Sequence, residues 1–218
     1  MAVPSAPPGI TNPVAMGRDP TVLAVIGQAQ TGMAIWQRSH VGPMADLTRG
    51  LRALSAEAMP HGRFISTLDG IKPALDGCYD HHTTEPKISL LRQALADDVQ
   101  QLATIFQSIT RSPYLDIRIQ HMRHDACRYW HLDNVAYRLI CTYFGPGTQW
   151  VDPAKNQEVL AKRDRWEGHC ETMEAGDVSV FAGACAQQKA GIVHRSPPIK
   201  AAGESRLVLC INTASAPA

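Results

Sequence analysis

The sequence predicts an α+β protein: a helical N-terminal part, then an antiparallel β sandwich or barrel. Three observations predict it. After Pro86, residues Ile88, Leu91, Leu95, Val99, Leu102, Phe106 and Ile109 follow a 3,4,4,3,4,3 spacing. That spacing keeps them on one face of a helix of 3.6 residues per turn. From residue 113 the chain changes to short runs rich in β-branched and aromatic residues, separated by Gly, Pro and Asp turns. Helical periods are missing between most of these runs, which argues for antiparallel pairing over a doubly wound parallel sheet.

Each element follows in order. Residues 1–20, "MAVPSAPPGITNPVAMGRDP", are rich in Pro, Ala and Gly and read as a flexible tail. They lack the basic and apolar regions of a secretory signal. Residues 21–112 are mainly helical. There "GMAIWQRS" is a short strand, and "MADLTRGLRALSAEAM" puts Leu47, Leu51, Leu54 and Ala58 on one helical face, with Pro60 as its stop. The apolar stripe of the long helix after Pro86 must lie against the outside of a sheet. Residues 113–214 contain "YLDIRIQHM", "AYRLICTYF", "TQWV", "DVSVFAGA", "GIVHRS" and "SRLVLCINT" as strands. "DPAKNQEVLAKRDRWEGH" interrupts them as a polar insertion with one or two helical turns, placed to shape a substrate site.

Composition narrows the function classes. The 218 residues suffice for one well-cored domain, and 44% hydrophobic with 19% charged residues is an ordinary globular balance. A net charge of +1, with no long basic block, gives no support for nucleic-acid binding. No apolar run approaches the roughly 20 residues of a membrane span. Cys78, Cys127, Cys141, Cys170, Cys185 and Cys210 form no CxxC pair, and several sit in apolar runs. They read as buried free thiols of a cytoplasmic protein. Oligomeric state leaves no signature.

The chemistry starts at "RYWHLDNVAYRLICTYFGPGTQW". In a strand, residues i and i+2 share a face, so His131 and Asp133 point the same way and can hold one divalent ion together. A third ligand from a distant strand is needed, and His194, ending the apolar run "GIVH", is the best candidate. Two His and one carboxylate leave three metal positions open. Arg206 opens "RLVLCINT" twelve residues later; its planar fork suits a carboxylate ligand in the same cavity. Val208, Cys210 and Asn212 share its face. Tyr129, Trp130 and Trp150 are candidates for a substrate pocket, although strand aromatics are more often core. His121 and His124 in "HMRH" read as a solvated or satisfied pair. Cys78, His81 and His82 in "CYDHH" are either a soft zinc site or exposed polar residues.

These residues together carry a resemblance. HxD, then "YRLICTYFGPGTQWV", "GDVSVFAG" and "GIVHRSPP…GESRLVLCINT" resemble the prolyl-hydroxylase-like branch of the Fe(II)- and 2-oxoglutarate-dependent dioxygenases over 115–213. The whole chain, through "AIWQR", "GPGTQW" and "HRSP", is also similar to a bacterial domain family of unknown function, loosely associated with zinc limitation. The resemblance implies a double-stranded β-helix, the jelly-roll barrel related to cupins, in 113–214, with the N-terminal helices packed outside. It implies Fe(II) on His131, Asp133 and His194, and 2-oxoglutarate held by Arg206 with Tyr143, Thr148 and Ser196. Arg195, expected to point away from the barrel, competes with Arg206 if the strand bulges. The implied reaction consumes O2, releases succinate and CO2, and oxidises a C–H bond of a small-molecule or peptide substrate. The alternative is a cupin-like protein that binds metal for zinc homeostasis without oxygenase turnover.

Overall fold

A computed structural model describes residues 13–38, 42–79, 86–186 and 191–217. Its strands and helices begin with β1 (Val14–Gly17), β2 (Met33–Trp36), α1 (Pro43–Arg52), β3 (His61–Ser66), α2 (Ile71–Asp76) and α3 (Pro86–Thr110). Next come β4 (Tyr114–Met122), β5 (Tyr137–Phe144), β6 (Gln149–Trp150) and α4 (Asn156–Lys162). The last are β7 (Glu171–Thr172), β8 (Val178–Ala182), β9 (His194–Arg195) and β10 (Arg206–Ala214). The result is a mixed α/β architecture around a seven-stranded sheet of order β1-β2-β8-β5-β10-β4-β3. Its pairings are antiparallel except β1 with β2. A second, three-stranded antiparallel sheet has the order β7-β6-β9.

Alternation along the strands gives the large sheet two different faces. Leu115, Ile117 and Ile119 of β4, Leu139 and Cys141 of β5, and Leu207, Leu209 and Ile211 of β10 face the helices. There they bury Leu47 and Leu51 of α1, Leu75 of α2, and Leu95, Val99, Leu102 and Phe106 of α3. The opposite face presents Met122, Ile140, Phe181, Val208 and Cys210 to Trp150, Met173 and Ile192 on or beside the small sheet. A third cluster lies on the small sheet's other side, where Val159 and Trp166 of the 152–169 insertion pack on Trp130, Val151 and Val193. The insertion therefore covers the outside of the small sheet.

Three expectations change. Within the tail expected at 1–20, Val14–Gly17 pairs in register with β2, and Val14 is buried. The part expected to be mainly helical also contributes β3, whose exposed and half-buried residues alternate along the edge of the large sheet. The helix expected to run to Pro60 ends at Arg52; Ala58 and Met59 are buried by a separate 3-10 turn at Ala56–Ala58. The long helix matches its expected span. Among the described residues no helix is long and apolar enough to cross a membrane. The six cysteines are unpaired.

One polar knot joins helix to sheet. The buried Asp98 of α3 receives both terminal nitrogens of Arg38, Nη2 at 3.0 Å, and the Tyr143 hydroxyl at 2.7 Å. Arg38 Nε donates to the Gly176 carbonyl at 2.7 Å. Removing one partner of a buried charge pair leaves the other unpaired in a medium that cannot solvate it. Asp98→Ala is therefore expected to destabilise the fold by about 3–5 kcal/mol, read as a lowered denaturation midpoint with an unchanged slope. A loss within experimental error would mean that the knot is incidental.

Candidate metal centre and anion site

His131 and His194 meet through the backbone. The His131 amide donates to the His194 carbonyl at 3.0 Å, and the His194 amide returns the bond at 3.1 Å. Their imidazoles then lie 4.7 Å apart, centroid to centroid. His131 is an isolated bridge, and Asp133 lies in the loop beyond it. Strand alternation is thus not what brings His131 and Asp133 together, as the i, i+2 argument expected; the bridge and the following turn do. One donor atom from each of His131, Asp133 and His194 lies within 4.8 Å of the others.

The hydrogen bonds set the protonation of these rings. His131 Nδ1 is 2.8 Å from the Tyr129 carbonyl oxygen, and His194 Nδ1 is 2.9 Å from that of Ile192. A carbonyl only accepts, so in both rings Nδ1 carries a proton, and Nε2 is the nitrogen turned toward Asp133. Burial, then the neighbouring His194, lowers the His131 pKa and favours its neutral form. The Asp133 carboxylate is buried, which alone would raise its pKa, but His194, Arg138 and His131 outweigh burial and lower it. Arg138 Nη1 donates to Asp133 Oδ1. Asp133 Oδ2 has no hydrogen-bond donor and lies 3.3 Å from His194 Nε2. The Nε2 atoms of two imidazoles and one carboxylate oxygen thus converge. A cation placed among them would satisfy all three at once, and the carbonyl-bound Nδ1–H groups are the usual orienting contacts of histidine ligands.

A cavity of about 80 Å³ opens beside this group, with His131 and His194 in its wall. That is room for several waters, and hence for a small ligand. Its floor is the inner face of the large sheet: Arg118 and Gln120 of β4, Ile140 of β5, and Arg206, Val208 and Cys210 of β10. Thr148 and Ser196 line it as well. Arg206 is 1% exposed. Its Nη2 donates to Thr142 Oγ1 at 3.0 Å, whereas Nε and Nη1 have no partner among the described residues. Burial pulls its pKa down to about 10, so at pH 7 the guanidinium is still charged.

Several sequence-derived candidates lie elsewhere. Tyr143 is fully buried on the helix side, bound to Asp98, and does not line the cavity. The parity of β5 explains it: Arg138, Ile140 and Thr142 stand opposite Asn212, Cys210 and Val208, so Tyr143 faces the other way. Trp130 is core with Trp166 and Val193, Trp150 is core between the sheets, and Tyr129 is 45% exposed outside the cavity. Arg195 borders the cavity, but its guanidinium lies 4.3 Å over the Trp130 ring, with Nε donating to Gln149 Oε1 at 2.8 Å. His121 packs against Phe144, and His124 is exposed. Cys78 is half-buried and free; His81 and His82 lie outside the described residues. Thr142, Arg138 and Arg118 were missed by sequence reasoning. Reading β5 in register with β10 would have found Thr142 and Arg138.

The turn at Gly145–Gly147 aims two cavity residues. Gly145 has φ of 83°, and a Cβ there would stand 2.2 Å from the Ser205 carbonyl and 2.8 Å from the Arg206 Cα. A Cβ on Gly147 would stand 1.8 Å from the Met173 carbonyl. Only glycine permits both approaches, which seat Arg206 at one side of the turn and Thr148 at the other.

The chain belongs to the family described as protein of unknown function DUF1826, whose model matches residues 17–212. No curated protein matches it. Among solved structures, the chain is similar to the dioxygenase for auxin oxidation 1 of Arabidopsis thaliana in its 2-oxoglutarate complex, at 9% identity and a TM-score of 0.46. That match covers 94% of this chain and 93% of the other. The prolyl-4-hydroxylase of Pseudomonas putida aligns at 15% identity and a TM-score of 0.44, over 89% of this chain and 98% of the other. A protein of Caulobacter crescentus described as belonging to the 2OG-Fe(II) oxygenase family aligns at 13% identity and a TM-score of 0.45, over 92% and 85%. Likeness at this level assigns neither reaction nor substrate.

The orphaned guanidinium makes its own prediction. Replacing a buried, unpaired charge by an apolar side chain of similar volume removes a desolvation cost. Arg206→Met is expected to leave the ligand-free protein equally stable, or more stable by about 1–2 kcal/mol, by chemical denaturation. A large loss would show that Arg206 holds the fold together.

Proposed function

We propose that this chain is a non-haem Fe(II)- and 2-oxoglutarate-dependent oxygenase built on a double-stranded β-helix, which oxidises a C–H bond of a small molecule or peptide. One observation carries the reading: a buried guanidinium with two unpartnered nitrogens opens on the same cavity as a His-Asp-His group whose acceptors converge. A metal without a cosubstrate would answer the second feature and leave the first unexplained. A dicarboxylate chelating that metal answers both.

The residues fit these groups. His131 and His194, each proton-bearing at Nδ1, and the free Oδ2 of Asp133 are a two-His-one-carboxylate set of the kind that leaves metal positions open. Arg138 holds Asp133 Oδ1 and so directs Oδ2 toward the imidazoles. Arg206, with the Thr142 hydroxyl beside it, would take the distal carboxylate of 2-oxoglutarate through its planar fork. Thr148 and Ser196 offer hydroxyls from the opposite wall. Met122, Ile140 and Val208 line the cavity with apolar surface and keep water from the ligand. Fe(II) with 2-oxoglutarate and O2, when bound, supplies the oxidising power, with succinate and CO2 as by-products.

The donor set also suits zinc, and divalent affinity order favours zinc over iron. That favours, as a second reading, a metal-binding protein without turnover. Anaerobic titration with Fe(II) and 2-oxoglutarate separates the two. The oxygenase reading expects a weak visible charge-transfer band that needs both components. His131→Ala and His194→Ala should abolish it together with metal binding. Arg206→Ala should keep the metal and weaken 2-oxoglutarate binding by about tenfold or more. Tight zinc binding with no band would sink the oxygenase and leave the metal-binding protein.

A further inference from the structure

The cavity floor carries more positive charge than the proposed cosubstrate uses. Three of its arginines, Arg118, Arg138 and Arg206, project from the inner face of the large sheet. Arg138 is bound to Asp133 and, through Nε at 2.8 Å, to Asn212 Oδ1. Arg206 is the group proposed to meet 2-oxoglutarate. Arg118 makes no ion pair among the described residues. Its strand neighbour Asp116 is already held by Arg63 through two bonds of 2.8 Å and by Asn212 at 3.3 Å. The Cys210 thiol, which Arg118 hydrogen-bonds, is no substitute for a carboxylate, because burial raises its pKa and keeps it neutral. The contrast with Arg38, Arg63 and Arg138, each bound to a carboxylate, singles out Arg118 and Arg206 as floor cations lacking one.

The register locates Arg118 relative to the rest. Arg206 stands opposite Met122, and Cys210 opposite Arg118. Arg118 is thus four residues along the sheet from Arg206, about 13 Å at 3.3 Å per residue. Arg206 is sealed and Arg118 is half-buried, so the floor runs from a closed cationic end to an open one. Arg138, which grips Asp133, stands opposite Asn212, one further step of two residues, or about 7 Å, beyond the Cys210–Arg118 row. The His-Asp-His group therefore belongs to the Arg118 end. Asp133 meets Arg138, and the distal carboxylate of the cosubstrate would meet Arg206, whereas no carboxylate is paired with Arg118 among the described residues. With a divalent metal and a dianionic cosubstrate bound, the three arginines and Asp133 would leave the site net positive.

We infer that Arg118, with Gln120 next to it on the same face, binds an anionic group of the substrate, a carboxylate or a phosphate, at the open end of the cavity. The inference rests on the oxygenase reading for what the bound molecule undergoes. It narrows the substrate to a small anion whose oxidised carbon lies within a few bonds of its charged group. Uncharged substrates and long neutral chains would leave Arg118 without an anion of its own.

Calorimetric titration tests this with sodium sulfate as the anion probe, at low ionic strength, on protein loaded with Mn(II) and 2-oxoglutarate. The expected result is one sulfate per chain. Arg118→Gln should weaken it about tenfold or more, the loss of one charge-assisted contact, and Arg118→Lys should restore most of it. Mn(II) and 2-oxoglutarate affinity should be unchanged in both variants, which also shows that they are folded. The proposal is overturned if loaded protein takes up no sulfate or if Arg118→Gln binds it as wild type does. It is equally overturned if Arg118→Gln weakens 2-oxoglutarate as Arg206→Gln does, because Arg118 then belongs to the cosubstrate. If Mn(II) and 2-oxoglutarate do not load at all, the oxygenase reading has failed separately. Metal-free Arg206→Gln then decides: sulfate binding that disappears on adding Arg118→Gln upholds the anion site, and no binding overturns it.

Discussion

A positive charge that cannot reach water governs the arrangement around it. Arg206 opens β10, and β10 is hydrogen-bonded to β4 on one side and β5 on the other. A side chain on a central strand cannot swing to solvent without tearing two ladders. Its guanidinium is thereby committed to the space between the sheets, where only Thr142 answers it among the described residues. Folding carries that cost, so the stabilising energy must come from elsewhere, chiefly the large apolar contact of the sheet with α1, α2 and α3 on the other face. The fold holds an incomplete electrostatic interaction in place, one that an anion would complete.

The two faces of the same sheet show the difference between a buried charge that is paired and one that is not. On the helix side Arg38 is also buried, but Asp98, the Gly176 carbonyl and Tyr143 close its network. Burial raises the Tyr143 pKa, and the adjacent Asp98 carboxylate raises it further, so the phenol remains a donor. On the cavity side the donors and acceptors are kept apart. Arg206 offers unpaired donors at one end, and His131, Asp133 and His194 gather acceptors at the other. A network satisfied internally rigidifies; a separated one leaves buried polar groups that a ligand would satisfy.

Much of this is legible in the sequence, in proportion to how local each signal is. The α3 stripe and the β4 and β10 runs are long and strongly periodic, and their spans match closely. His131, Asp133, His194 and Arg206 stand out by order and spacing, Thr148 and Ser196 only through the family resemblance, and the structure brings all six to one cavity or its edge. Tyr143 fails for a physical reason. The loop between Asp133 and Tyr137 resets the parity of β5 relative to His131 and Asp133, and one residue of slip exchanges the faces. Trp130 and Trp150 went to cores because a large apolar ring gains more from close packing than a polar cavity offers. β1 and β3 were hidden because edge strands carry half-exposed patterns, and Val14–Gly17 lies in a Pro- and Gly-rich stretch that reads as tail. Arg118 and Arg138 were invisible because an arginine in a strand carries no sign of whether its carboxylate exists across the sheet.

The His pair shows how geometry can be ready before any ligand. Each imidazole is oriented by the carbonyl two residues before it, Tyr129 for His131 and Ile192 for His194. The two backbones then exchange amide bonds with each other. Neither contact involves a metal, so both Nε2 atoms are aimed by the chain alone. Asp133 is positioned differently, by Arg138, whose other anchor is Asn212 on β10. The carboxylate is thus tied to the strand that carries Arg206, while the imidazoles are tied to the loop and small sheet above. A ligand spanning from the metal position to Arg206 would bridge those two layers. Its binding should therefore resist their separation, and the cavity should tighten around a molecule of the right length more than around the metal alone.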